Sequence, residues 1–129
     1  MVRPVATRRT EKERGVAAVE LAFIFPILLL MLLGIVQYGR YYNATIAVTH
    51  ASREAVRTVA LSGPVSAQTA ATNAAPGLTV VASSVTTCPA SGIGNAQVTV
   101  TNSFSFTDNL GFGLGPFTIS RTGVMRCGG

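Results

Sequence analysis

The chain has 129 residues, enough for one domain plus an anchor. It is 48% apolar and only 12% charged, against about 25% charged in an ordinary soluble domain, which excludes a disordered charged tail and points to a membrane segment. Net charge is +5, with Arg3, Arg8, Arg9, Lys12 and Arg14 crowded at the start; one histidine and five acids are too few for most catalytic or metal sites. The expectation is a protein that is not an enzyme and carries no cofactor.

From Val16 to Val36 the sequence reads VAAVELAFIFPILLLMLLGIV, with Glu20 as its only charge. About 20 apolar residues at 1.5 Å rise each cross a hydrocarbon core of roughly 30 Å. A secretory signal has a shorter apolar core and ends at a small-x-small site, which this run lacks. Tyr38, Tyr41 and Tyr42 follow, residues suited to a membrane–water interface. The basic cluster lies on the N-terminal side, so the N-terminus is expected in the cytoplasm and everything after Arg40 outside. Pro26 cannot donate to the carbonyl of Ala22, which predicts a kink or local unwinding. Glu20 would cost about 2.5 kcal/mol or more at the bilayer centre, and less near the cytoplasmic end. It either reaches toward headgroups or meets a positive partner inside the membrane. Ala18 and Ala22 form a small-xxx-small pair that could admit a second helix.

The stretch RGVAAVEL, from Arg14 to Leu21, resembles the processing site of type IV prepilins: a basic leader, a glycine, four residues, a glutamate and an apolar helix. The wider pattern RGVAAVELAFIFPILLLMLLGIVQYGRYY, with ASREAVRTVAL after it, is similar to the TadE-like pseudopilins of the tight-adherence (Tad) pilus system. The similarity covers residues 14–61 and is weaker over the C-terminal half. Leu21 stands where members commonly carry an aromatic.

This resemblance implies cleavage between Gly15 and Val16 by a prepilin peptidase. It also implies a single-pass location in the bacterial inner membrane and a pilin-like fold. The implied role is that of a minor pilin or pseudopilin in assembly of a Tad/Flp adhesive pilus. Its implied partners are the peptidase, other pilins and pseudopilins, the inner-membrane assembly complex and membrane lipid, with no nucleic acid. Cleavage would create an α-amino group on Val16. Glu20 of a neighbouring chain could neutralise it in an apolar bundle, where an unpaired charge costs several kcal/mol. The alternative is a permanently anchored single-pass envelope protein whose extracytoplasmic domain binds a ligand.

Beyond the interface the helix is predicted to continue to Leu61. Tyr41, Ala44, Val48, Ala51, Ala55 and Val59 recur every three or four residues and form one apolar stripe. His50, Arg53 and Arg57 fall on the other side, and Glu54 can pair with Arg57. Gly63 and Pro64 end the helix. Ser66 is a candidate cap for a short Ala-rich helix to Ala75, which Pro76 and Gly77 terminate.

The period then changes. Leu78 to Cys88 is rich in valine and threonine, which favours strand. From Gln97 to Phe106 the sequence alternates, with Val98, Val100, Phe104 and Phe106 on one face. These two stretches are expected to pair antiparallel through a turn at 89–96. Phe117 to Cys127 supplies a third strand, with Gly123 a candidate bulge. The glycine-rich LGFGLGP, from Leu110 to Pro116, lacks the lysine and the following helix of a phosphate cradle. Leu110, Phe112 and Leu114 are expected to fold back over the sheet edge.

The predicted class is therefore α+β: a long N-terminal transmembrane and amphipathic helix packed on a small antiparallel sheet. The organisation is 1–15 basic leader, 16–39 transmembrane helix, 40–61 helix continuation, 62–77 linker with a short helix, and 78–129 sheet. Beyond the membrane run lie one histidine, two acids (Glu54 and Asp108) and two cysteines. Spacing alone does not exclude a Cys–His pair with His50, yet no nucleophile motif surrounds it. Cys88 and Cys127, both on the expected outer side, are the count for one disulfide in an oxidising compartment. Two buried thiols are the alternative.

Overall fold

The computed structural model describes residues 9–90, 93–105 and 115–127, with side chains from Gly15 onward. Contacts divide the chain into one unit up to Val36 and a second from Gln37. Helix α1 runs from Arg9 to Ser62, so the helix starts within the basic leader, ahead of the apolar run. RTEKER is composed largely of residues that tolerate helix well. α1 stays helical through Pro26, so of the kink or local unwinding expected there, the unwinding is absent. In the first unit, Val16, Leu21, Phe23, Ile27, Leu30 and Ile35 are all exposed. A helix that is apolar all round seeks lipid or a protein interior.

The end of α1 is as the sequence predicts. Gly63 adopts φ +86°, and its N–H bonds the Val59 carbonyl at 3.1 Å. Pro64 then begins a 3-10 turn, Pro64–Ser66, that feeds helix α2, Ala67–Ala74. Ser66 does not cap α2 with its side chain; its Oγ donates back to the Gly63 carbonyl at 3.1 Å. The 3-10 turn has already placed Ser66 in the helical region (φ −89°, ψ −5°), whereas a capping side chain needs an extended residue.

Three strands follow: β1, Val80–Thr86; β2, Gly94–Phe104; and β3, Phe117–Cys127. They form one antiparallel sheet in the order β1-β2-β3. The predicted connection between β1 and β2 is shorter than expected, because β2 already starts at Gly94. There the chain folds tightly: a Cβ on Gly94 would lie 2.6 Å from Cδ of Pro89.

The bulge is in a different place from the one predicted. β2 and β3 pair without interruption from Gly94↔Cys127 to Phe104↔Phe117, and Gly123 lies opposite Val98 in regular register. The register shift is in β1, where Ser83 pairs with Thr99 but Thr86 pairs with Gln97, leaving one extra residue on β1. Ser84 absorbs it with φ +52°, a conformation that costs a non-glycine residue about 1–2 kcal/mol.

In the second unit the apolar stripe of α1 packs against the inner face of the sheet. Ala44, Val48, Ala51, Ala55 and Val59 join Ala96, Val98, Val100, Phe104 and Ile119 in one core, with Tyr41 at its margin. Tyr41 meets Phe104 edge to face, with ring centroids 5.8 Å apart. The core is mostly alanine and valine, so helix and sheet lie close together. Gly123 is the extreme case, since a Cβ there would overlap the Ser52 carbonyl oxygen and sit 3.1 Å from Cγ1 of Val56. This glycine is required by a helix backbone crossing over it.

Two polar residues within the core were not anticipated. Ser52 is 1% exposed and satisfies its hydroxyl on the Thr49 carbonyl at 2.9 Å. Asn102 is 4% exposed and fills the gap in the apolar alternation of β2. Its Nδ2 donates to the Thr79 carbonyl at 2.8 Å, while its Oδ1 has no partner among the described residues. Gln68 of α2 guards the β1 edge: it donates to the Val80 carbonyl at 2.8 Å and accepts from the Ala82 N–H at 2.7 Å. A side-chain amide there occupies the place of a further strand.

Candidate processing and assembly segment

The prepilin-like residues all lie on α1. Gly15 is helical, exposed, and a Cβ placed on it would meet nothing within 4 Å. Glycine inside a helix costs about 1 kcal/mol relative to alanine. Among the described residues, packing gives no reason for glycine here, unlike at Gly123. A peptidase needs extended backbone, so cleavage at a helical Gly15–Val16 bond requires that turn to open first, and glycine lowers the cost of opening.

Val16 and Glu20 stand four residues apart, one turn and about 6 Å of rise along the same face. Both are exposed. Helical side chains lean toward the N-terminus, so Val16 and Glu20 share one face with the glutamate C-terminal to the valine. An α-amino group released at Val16 would therefore lie within about one turn of Glu20 of its own chain. Pro26 follows Glu20 by six residues and leaves the Ala22 carbonyl without its helical donor.

Cys88 and Cys127 form a disulfide, with a Cα separation of 5.6 Å. Cys127 ends β3, and Cys88 lies two residues beyond β1, so the bridge closes the two outer strands across β2. It takes both thiols out of any Cys–His pairing. His50, Arg53 and Arg57 are exposed, on the side of α1 away from the sheet, as the periodicity predicts. Glu54 and Arg57 make no ion pair among the described residues. Phe106, Asp108, Leu110, Phe112 and Leu114 lie outside the described residues.

These features define a class: a chain with, among the described residues, one helix long and apolar enough to cross a membrane, and a small disulfide-closed α+β unit. Residues 15–57 match the family model described as TadE-like protein. The matched region begins at Gly15 and includes Glu20, the apolar run and most of the stripe that packs on the sheet. No curated protein and no solved structure matches the chain.

Proposed function

We propose that the protein is a minor pilin or pseudopilin that takes part in assembly of a Tad-type adhesive pilus through its N-terminal helix. The observation that carries this reading is the TadE-like match, which begins at the glycine of the prepilin-like motif and runs through the apolar helix. The helix enters the bacterial inner membrane with its N-terminus in the cytoplasm and its disulfide-closed unit outside. A prepilin peptidase hydrolyses the Gly15–Val16 bond: water supplies the new carboxyl oxygen on Gly15 and a proton to the Val16 nitrogen. The released α-amino group is cationic near neutral pH. Glu20 compensates it as helices of neighbouring pilins pack side by side, which also sets their axial stagger. No reacting group is supplied by the chain itself, which acts as substrate and subunit and not as catalyst.

Glu20→Gln tests the role of the carboxylate, since it keeps shape and removes charge. Membrane insertion and folding are expected to match wild type. Piliation and co-purification with other pilins should fall about ten-fold or more, as expected when an amine buried in the bundle loses its counter-charge. Unchanged piliation and co-purification would mean that Glu20 is merely tolerated.

A further inference from the structure

The two edges of the sheet differ. The outer edge of β1 is closed: Gln68 holds the Val80 carbonyl and the Ala82 N–H, and the irregularity at Ser84 breaks the line of the strand. Covering and bulging are two ways in which proteins keep an edge strand from pairing. β3 forms the other edge and has neither. It pairs with β2 along its whole length without a register shift, and its 11 residues include no proline. At about 3.4 Å per residue there is room for a complete strand, which is usually about five or six residues long. Among the described residues, no side chain of another element caps the backbone from Thr118 to Arg126.

The direction of the free groups follows from the ladder. In an antiparallel sheet the N–H and C=O of one residue point to the same side, and successive residues alternate. Gln68 takes the Val80 carbonyl and the Ala82 N–H, so those residues face away from β2. Val81 and Ser83 therefore carry the ladder bonds to Thr101 and Thr99. Val98, Val100 and Asn102 then face β3 and exchange bonds with Gly123, Arg121 and Ile119. On the far side of β3 remain the N–H and C=O of Thr118, Ser120, Thr122, Val124 and Arg126, all exposed residues. The bond of 2.9 Å from Nη1 of Arg121 to the Ser120 carbonyl reaches a carbonyl on that side. It places the guanidinium at the open edge.

We propose that the β3 edge accepts a β-strand from a partner protein that carries acidic residues. Charge selects the partner. β3 contains Arg121 and Arg126 and no acid. Glu54, on the exposed face of α1, is the one acid among the described residues of the second unit. A second copy of β3 would set a basic strand against a basic strand, which like charges oppose. The two arginines are five positions apart, so they project on opposite faces of the strand. An incoming strand with acids five positions apart meets both, and adds two cross-strand ion pairs to the main-chain bonds. The inference is independent of the pilin reading.

The test uses full-length protein in detergent micelles, with amide hydrogen exchange followed residue by residue by NMR. In the free protein the amides of Ile119, Arg121 and Gly123 should be protected by β2, while those of Ser120, Thr122, Val124 and Arg126 exchange quickly. The probe is a short blocked peptide of alternating valine and threonine with two glutamates five positions apart. At a free concentration about ten times its Kd, it should slow those four amides about ten-fold. The same peptide with lysines in place of the glutamates should leave them unchanged. Arg121→Gln combined with Arg126→Gln should weaken binding of the glutamate peptide about five-fold. Ser120→Pro removes an outward N–H and no bond to β2, and should weaken it about ten-fold. Retained protection of Ile119, Arg121 and Gly123 shows that the sheet is intact in each variant. Arg57→Gln, on α1, should bind as wild type does. The proposal is overturned by no slowing with the glutamate peptide, by equal slowing with the lysine peptide, or by unchanged binding in the double arginine variant. It is also overturned by slow exchange of the four amides in the free protein. That result assigns the edge to a second copy if the protein is a dimer, and to the chain itself if it is a monomer.

Discussion

Replacing Cys127 with serine is expected to lower the stability of the unit from Gln37 onward by about 4 kcal/mol. The disulfide joins residues 39 apart in sequence. For a loop of that length the chain-entropy account gives a loss of about 4 kcal/mol when the link is removed. Small domains have total stabilities of only about 5–15 kcal/mol, so the loss is a large share. The core offers little reserve, since it is built mostly of alanine and valine. Cys88→Ser should behave the same way, because the two residues act through one bond. Steady-state protein should fall through proteolysis, while the helix still inserts. Thiol labelling of denatured, unreduced wild type should find no reactive cysteine. Two reactive thiols per chain would contradict the bridge.

Gly123→Val is expected to cost about 3 kcal/mol, at the upper end for overpacked sites. Even the first added carbon would overlap the Ser52 carbonyl oxygen and approach the Ser52 carbonyl carbon to 2.7 Å. Both partners are backbone, so no rotamer change relieves the overlap; helix and sheet must separate. Separation would also loosen Val98, Val100 and Val48, which are fully buried at this interface. Val124, the next residue, is half-exposed, and Val124→Ala should change stability by less than about 0.5 kcal/mol. Denaturant unfolding of the two variants in detergent decides the matter. Equal midpoints would mean that the close approach of α1 to β3 is not a real constraint.

Gly123 also shows where the sequence was legible and where it was not. The alternation in 97–106 and the valine- and threonine-rich 78–88 are local patterns: β3 forms with the predicted bounds, whereas β2 starts three residues early at Gly94 and β1 is trimmed to Val80–Thr86. The helix stripe from Tyr41 to Val59 and the stop at Gly63–Pro64 are equally local. A glycine within a strand, however, signals either a bulge or a close approach, and only the partner distinguishes them. That partner, Ser52, is far away in sequence. The real bulge fell at Ser84, which carries no marker of its own. Asn102 and Gln68 escaped notice for a related reason. Each is explained by a backbone group elsewhere, the Thr79 carbonyl or the β1 edge, and a polar residue read alone suggests only a surface position.

The candidate site was legible as a motif because Gly15, Val16 and Glu20 lie within six residues of one helix. The chemistry proposed for it is intermolecular, between chain and peptidase and between neighbouring helices. A single chain therefore displays the residues without displaying the event. The fold adds that, among the described residues, nothing lies within 4 Å of a Cβ placed on Gly15.

The most direct measurement is the mass and N-terminal sequence of the protein purified from membranes of cells that contain a prepilin peptidase. Processing between Gly15 and Val16 predicts a chain that begins at Val16. Gly15→Ala should still be cut in part, and Gly15→Leu should accumulate as full-length protein in the same cells. A wild-type chain that keeps Met1–Gly15 in those cells would contradict the pilin reading and favour a permanent anchor.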